Sequence, residues 1–231
     1  MERVTIGNAD SGGSGGGIDR RDLSASLGTT GLALVRYRLA PGGGFPSGLH
    51  AHADQEEVFV VIEGEATFET LAAPRGGAAS DSGDENFAPE TERDENFARD
   101  SGTEGDDDFA PVGREVVVGE GEAIRFAPGE FQSGRNAADR DLVALAVGAP
   151  RDTEDVRLPV ACPECDRADV RLETGDEGVR FVCPDCGAER VPAPCPDCEC
   201  EEMRLALDDT GRVVATCEDC ETEFDDPPVR D

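Results

Sequence analysis

The chain contains two histidines, and they stand one residue apart, His50 and His52, in the stretch GLHAHADQEEVFVVIEG from Gly48 to Gly64. In an extended segment successive side chains point to opposite faces, so both imidazoles project from one face with Ala51 behind them. A carboxylate, Glu57, follows after a short break. Two nitrogen donors and one oxygen donor form a mixed set suited to a divalent first-row metal such as Fe, Mn, Ni or Zn. A second chemistry resides in sulfur. Of nine cysteines, eight form four C-x-x-C pairs: Cys162 with Cys165, Cys183 with Cys186, Cys195 with Cys198, and Cys217 with Cys220. In a cytosolic chain such pairs signal metal or redox sites rather than a disulfide framework.

The first two pairs are separated by VRLET, a GDEG turn and VRFV, and the last two by MRLAL, a DDTG turn and RVVAT. Each hairpin brings its two knuckles together, and four thiolates around a tetrahedral Zn²⁺ make a closed structural site. The pattern is that of a zinc ribbon, present twice in tandem. Intervals of 17 and 18 residues between the inner cysteines favour pairing within each hairpin over pairing across them. A rubredoxin-like iron site uses similar knuckles. A thiol–disulfide couple would need one pair inside an α/β pattern, which this region lacks. Cys200, the ninth cysteine, has no partner in the pattern and lies near enough to Cys198 to exchange with it as a ligand. With little apolar sequence of its own, this region is expected to depend on zinc to fold.

Around the histidines the spacing resembles that of the cupin superfamily. The first motif of that family reads Gly, five residues, His-x-His, three or four residues, Glu, six residues, Gly. Here Gly44, His50, His52, Glu57 and Gly64 fill every position. The second motif, Gly, five residues, Pro-x-Gly, two residues, His, three residues, Asn, is matched in part by GEAIRFAPGEFQSGRN. Gly121, Gly129 and Asn136 are in place, the proline is displaced by one to Pro128, and Gln132 stands where the family has a fourth, histidine ligand. The resemblance covers about residues 18 to 150. It implies a jelly-roll β-barrel with a metal held by His50, His52 and Glu57. Gln132 has three readings: a weak ligand through its amide oxygen, a hydrogen-bonding partner of a metal-bound water or substrate, or a glutamine that faces solvent or pairs with a loop backbone. Because cupins include dioxygenases, isomerases, epimerases, decarboxylases, sugar binders and seed storage proteins, the resemblance leaves the reaction open.

The elements that must position these groups read as strands. Val4 to Ile6 suggests a short first strand, followed by the flexible composition SGGSGGG. Leu32 to Leu39 alternates apolar and polar residues and stops at Pro41-Gly42. VFVVI after Glu57 and the stretch Glu65 to Leu71 read as two strands around the Glu63-Gly64 turn. Arg114 to Val118, Ala123 to Phe126 and Asp141 to Val147 complete an antiparallel barrel. Between them, residues 72–113 carry twelve acidic residues against three arginines, a composition that predicts disorder. DENFA occurs twice there, with a degenerate DDDFAP. This reads as a duplicated, solvated loop, with Phe87, Phe97 and Phe109 as an alternative docking motif.

Among the 231 residues, 52 are acidic and 21 basic, every basic one is arginine, and the net charge is −31. An acidic, lysine-free composition fits a protein kept soluble in molar salt, as in a halophile. The charge argues against a nucleic-acid backbone as partner. The amino terminus has no signal-peptide pattern, and no stretch of about 18 apolar residues occurs, so a cytoplasmic protein without a membrane span is expected. The expected organisation is mainly β: a cupin barrel over 1–150, a linker at 151–160, zinc ribbons at 161–191 and 192–225, and a tail at 226–231. Two structural Zn²⁺ and one divalent transition metal are the expected cofactors. Expected partners are a small-molecule ligand, a protein meeting the ribbons or the acidic insert, and a second copy in a homodimer. The leading function is a metal-binding protein that acts on or binds a small molecule in the barrel, as an enzyme or an enzyme-like metal site, with oxygenase or isomerase as the chemistries the resemblance suggests. The alternative is a non-catalytic sensor or adaptor.

Overall fold

The computed structural model describes residues 1–11, 17–71, 113–175 and 178–230. The acidic segment with its DENFA repeats, Gly113 apart, lies outside the described residues. Up to residue 149 the chain forms β1 (Asp10–Ser11), β2 (Ile18–Asp22), a short helix α1 (Leu23–Leu27), β3 (Ala33–Leu39), β4 (Ala51–His52), β5 (Glu56–Glu63), β6 (Glu65–Leu71), β7 (Arg114–Gly119), β8 (Ala123–Phe126), β9 (Phe131–Arg135) and β10 (Leu142–Ala149). One antiparallel sheet runs in the order β1-β2-β3-β10-β5-β8, and a second runs β7-β6-β9.

The alternation of apolar residues explains the layering. Leu39, Phe59, Val61, Leu142 and Ala144 of the larger sheet meet Phe68 and Val118 of the smaller one in a single core. Phe45, Phe59 and Phe126 all place their rings within 5.7 Å of Phe68. Burying such a side chain contributes roughly 2 to 3 kcal/mol, so this aromatic cluster carries much of the barrel's stability. The chain passes from one sheet to the other at Gly64. Its φ is +86°, and a Cβ there would lie 2.6 Å from the Asp141 carbonyl, so the Glu63-Gly64 turn requires glycine.

Two sequence expectations change. Val4 to Ile6 is not a strand; a 3₁₀ turn at Ile6–Asn8 takes its place, with Ile6 exposed, because three residues of alternation supply neither a partner nor a buried face. The segment 151–160, read as a linker, contains β11 (Val156–Leu158). A three-residue strand is too short to show a period of two, and tertiary pairing makes it. β11 pairs with β4 on one side and, on the other, with β12 (Val170–Gly175).

From there the sheet continues through β13 (Gly178–Val182) and β14 (Glu189–Pro192). The second hairpin is β15 (Met203–Leu207) with β16 (Val213–Cys217), joined by β17 (Glu223–Phe224), and β18 (Val229–Arg230) returns to pair with β14. The expectation of a mainly β protein with carboxy-terminal hairpins between cysteine pairs is what the structure shows. Among the described residues no helix is long and apolar enough to cross a membrane.

Candidate metal centres

His50 is fixed through its backbone. It exchanges two hydrogen bonds with Gln132 of β9, its N–H donating at 3.1 Å and its carbonyl accepting at 2.8 Å. The His52 carbonyl accepts from Gly129 N–H at 2.8 Å, and His52 itself lies opposite Val156 of β11. Glu57 sits near the start of β5, opposite Phe126 and Gly148. Three strands from different parts of the chain therefore converge on one point.

The side chains meet there. His50 Nδ1 lies 2.9 Å from the Gly48 carbonyl, which can only accept, so Nδ1 carries the proton and Nε2 presents a lone pair. That Nε2 is 3.2 Å from His52 Nε2, and His52 Nε2 is 3.7 Å from Glu57 Oε2. One ligand atom from each of the three residues falls within 4.8 Å of the others. Imidazole nitrogens bind such ions at about 2.0–2.1 Å, so two on adjacent vertices sit about 3 Å apart, close to the separation seen here. The residues fit a divalent ion.

Electrostatics agree with a site built for a cation. Burial pushes the Glu57 carboxyl up to about 7, against the Gln132 amide, which holds it down. Burial, with the His50 ring beside it, pushes His52 down to about 4. His50 is lowered by burial too, its bond to Gly48 acting the other way. Without an ion the pocket resists holding a bare carboxylate and resists protonated imidazoles, so two neutral nitrogen donors face a carboxylate that a positive charge would stabilise.

Gln132 is 3% exposed, and its Nε2 donates to Glu57 Oε2 at 2.5 Å. Opposed to His50 across an antiparallel pair, it lies on the same face as the imidazole; the solvent-facing reading is set aside. Here it orients the carboxylate. Asn136, fully buried, acts elsewhere. Its Nδ2 donates to the Leu39 and Arg140 carbonyls and ties the loop after β9 to β3. Tyr37 was not singled out in the sequence. Burial raises its phenol, Arg20 directly opposite on β2 counteracts by hydrogen bonding, and Glu57 is close enough for its charge to add to the rise. Only the register of β2 against β3 reveals that neighbourhood.

Gln132→His should tighten metal binding about tenfold or more, because imidazole is a stronger donor to a transition metal than a neutral amide and would replace a group that now bonds Glu57. Titration of parent and variant with Co²⁺, read by its visible spectrum, checks this. Equal affinities would place residue 132 outside the ion's reach.

The cysteines form two further groups, Cys162, Cys165, Cys183 and Cys186, and Cys195, Cys198, Cys217 and Cys220. Sulfur pairs lie at 3.7 and 3.5 Å in the first and at 3.6 and 3.5 Å in the second. Those distances far exceed a disulfide and approach the roughly 3.8 Å edge of a tetrahedron with Zn–S bonds of 2.3 Å. All four knuckles share one turn. The residue after the second cysteine, Asp166, Gly187, Glu199 or Glu221, has positive φ and donates its N–H to the carbonyl of the first. The first cysteine of each knuckle is buried and donates its own N–H across the turn, to the carbonyl of Arg167, Ala188, Cys200 or Thr222. Backbone N–H groups of Cys220 and Asp219 pull the Cys217 thiol down to about 6, favouring the thiolate a metal requires. The two groups are consistent with zinc. Cys200 belongs to neither, its Sγ accepting from Glu202 N–H at 3.4 Å.

No protein-family model matches this chain, and no curated protein is significantly similar to it. Among solved structures it is similar to a sugar phosphate isomerase from a cupin superfamily of Silicibacter pomeroyi, with 17% identity, a TM-score of 0.42, and 74% of this chain and 79% of that one covered. It is also similar to an uncharacterized conserved protein with a double-stranded β-helix domain from Klebsiella pneumoniae, at 15% identity and a TM-score of 0.40, over 66% and 93% of the two chains. A recombinant oxalate oxidase in complex with glycolate matches at 18% identity and a TM-score of 0.41, over 67% of this chain and 61% of that one. Likeness this distant carries nothing about what the present chain binds.

Proposed function

We propose that this is a metal-binding protein of cupin type that binds or transforms a small molecule at His50, His52 and Glu57, with two structural zinc ions in its carboxy-terminal modules. The observation that supports it best is the convergence of one ligand atom each from His50, His52 and Glu57 within 4.8 Å of one another. A divalent ion there, Fe, Mn, Ni or Zn, would act as a Lewis acid with positions open to a ligand. Burial keeps both imidazoles neutral, the Gly48 carbonyl fixes which His50 nitrogen carries the proton, and Gln132 orients the Glu57 carboxylate.

Elemental analysis of protein purified without added metal tests this reading. About three ions per chain are expected, two of them zinc, since the three groups share no ligand. A zinc content near one, or no third ion under any loading condition, would count against it.

A second reading, a non-catalytic adaptor, is favoured by a different observation. A cleft of about 660 Å³ is lined by Leu158, Phe181, Val191, Met203, Leu205 and Arg204, which is the kind of apolar concavity that takes a ligand or a peptide. A third ion in the barrel with no turnover of any carboxylate or sugar substrate offered would favour that reading.

A further inference from the structure

The strand that carries the two imidazoles has a second face. His50 and His52 point toward Glu57, while the alternate residues, Leu49 and Ala51, are wholly buried on the opposite side. There they join an apolar cluster with Leu71, Phe131, Leu205 and Ala215. Leu205 and Ala215 belong to β15 and β16, the hairpin between the knuckles of the second cysteine group. The junction extends to the backbone. Leu49 N–H donates to the Leu205 carbonyl at 2.7 Å. Gly48, whose carbonyl receives the His50 Nδ1 proton, has φ +57°, and a Cβ on it would lie 2.9 Å from that same Leu205 oxygen. Further along, Gly113 N–H donates to the Gly211 carbonyl at 2.8 Å, and Leu207 N–H donates to the Glu69 carboxylate at 3.3 Å.

We propose that the second cysteine module is a positioning element of the barrel metal site: its hairpin fixes Gly48 to Ala51 from behind and so sets how tightly the His50, His52 and Glu57 group holds an ion. The inference rests on the reading of those three residues as a metal site. Two five-residue strands edged only by the two-residue β17 make a sheet that is marginal alone, so β15 and β16 need the thiolate-bound ion that ties their ends together. With that ion in place, Leu205 offers a fixed carbonyl to Leu49 and a fixed apolar surface to Leu49 and Ala51. Without it, the strand bearing both imidazoles keeps Leu71 and Phe131 but loses Leu205 and Ala215 from its apolar face, and donor atoms that must hold position to within about 0.5 Å are free to shift. Leu205 touches no ligand atom of the barrel group and acts through Gly48 and Leu49, which makes it a positioning residue.

The test is titration of the full-length, zinc-loaded protein with Mn²⁺, followed by its electron paramagnetic resonance signal. Mn²⁺ favours oxygen donors such as the Glu57 carboxylate and leaves thiolates to zinc. Cys217→Ser should carry one zinc fewer and bind Mn²⁺ at least tenfold more weakly. Leu205→Ala should keep both zinc ions and still bind Mn²⁺ several-fold more weakly. In both variants, before Mn²⁺ is added, amide hydrogen exchange over 48–52 should accelerate while 58–61 in β5 stays protected. Parental Mn²⁺ affinity in both variants would overturn the coupling and leave the barrel site standing. So would weakened binding accompanied by loss of protection through 58–61, which is general unfolding. A parent that binds no Mn²⁺ at all, or binds it undiminished in Glu57→Gln, would overturn the barrel site itself.

Discussion

Glu57→Gln should empty the barrel site, by a hundredfold or more in affinity, and make the metal-free protein more stable above pH 7. The two effects have one cause. The carboxylate supplies the only negative charge among the three convergent ligand atoms, so an amide in its place removes most of the attraction for a cation. That same charge is costly without an ion, since burial raises the Glu57 carboxyl from an ordinary 4.5 to about 7. A raised acid means the folded state holds the proton more tightly than the unfolded chain. Metal-free stability from this group is therefore fully present below about 4.5 and falls as pH rises to about 7. His52 has the opposite sign: lowered from 6.5 to about 4, it makes stability rise with pH between those values. In the parent the two slopes oppose each other through the shared window. In the variant the rise should remain alone, with a gain at pH 8 on the order of 1 to 3 kcal/mol. Gln132 keeps an acceptor, because an amide oxygen at residue 57 can take its N–H. Denaturant unfolding of metal-free parent and variant at pH 5 and pH 8, with metal content measured beside it, decides the point. A variant that keeps its third ion removes Glu57 from the site, and one no more stable than the parent at pH 8 shows that the buried carboxylate is not costly.

The residues that the structure gathers into three candidate metal groups were legible because their types are rare and their spacings are tied to local geometry. Two histidines at a strand interval and four C-x-x-C pairs around hairpin-length gaps each describe a contact made within one turn or one pair of strands. What was not legible depends on contacts distant in sequence. β9, FQSGR, lacks β-branched alternation and has both faces buried, so its pattern reads as loop; only its pairing with β6 makes it a strand and brings Gln132 beside His50. β11 is likewise defined by its partners rather than by its composition. The sequence presents barrel and cysteine modules as successive units joined by a polar stretch. In the structure, β4 pairs with β11, and Leu49 and Ala51 complete the apolar face of β15 and β16. Small apolar residues between two histidines look like spacers until the surface behind them is known.

Removal of zinc by a strong chelator at neutral pH should unfold both cysteine modules and leave the barrel core folded. The expected scale is large, since apparent binding free energies of structural Zn²⁺ in small four-ligand modules are about 10–16 kcal/mol, more than such modules gain from their own cores. The first module buries Val170 and Phe181 along with Cys162 and Cys183. The second has Leu205, Val214 and Ala215 and leans on the barrel for the rest. The barrel instead rests on Phe45, Phe59, Phe68, Phe126, Leu39 and Leu142, a cluster that contains no cysteine. Hydrogen exchange should therefore accelerate over 170–174, 179–182, 203–207 and 213–216 as zinc leaves, while 58–61 and 142–147 retain protection. Apolar surface at Leu49, Leu71 and Phe131 would then face water, and binding of a hydrophobic dye should rise in step with zinc release. Protons compete with zinc for thiolates, so lowering the pH should produce the same sequence of events without a chelator. If both zinc ions depart while 170–174 and 203–207 remain protected, the modules stand on their own packing and the eight cysteines must serve some purpose other than holding them together.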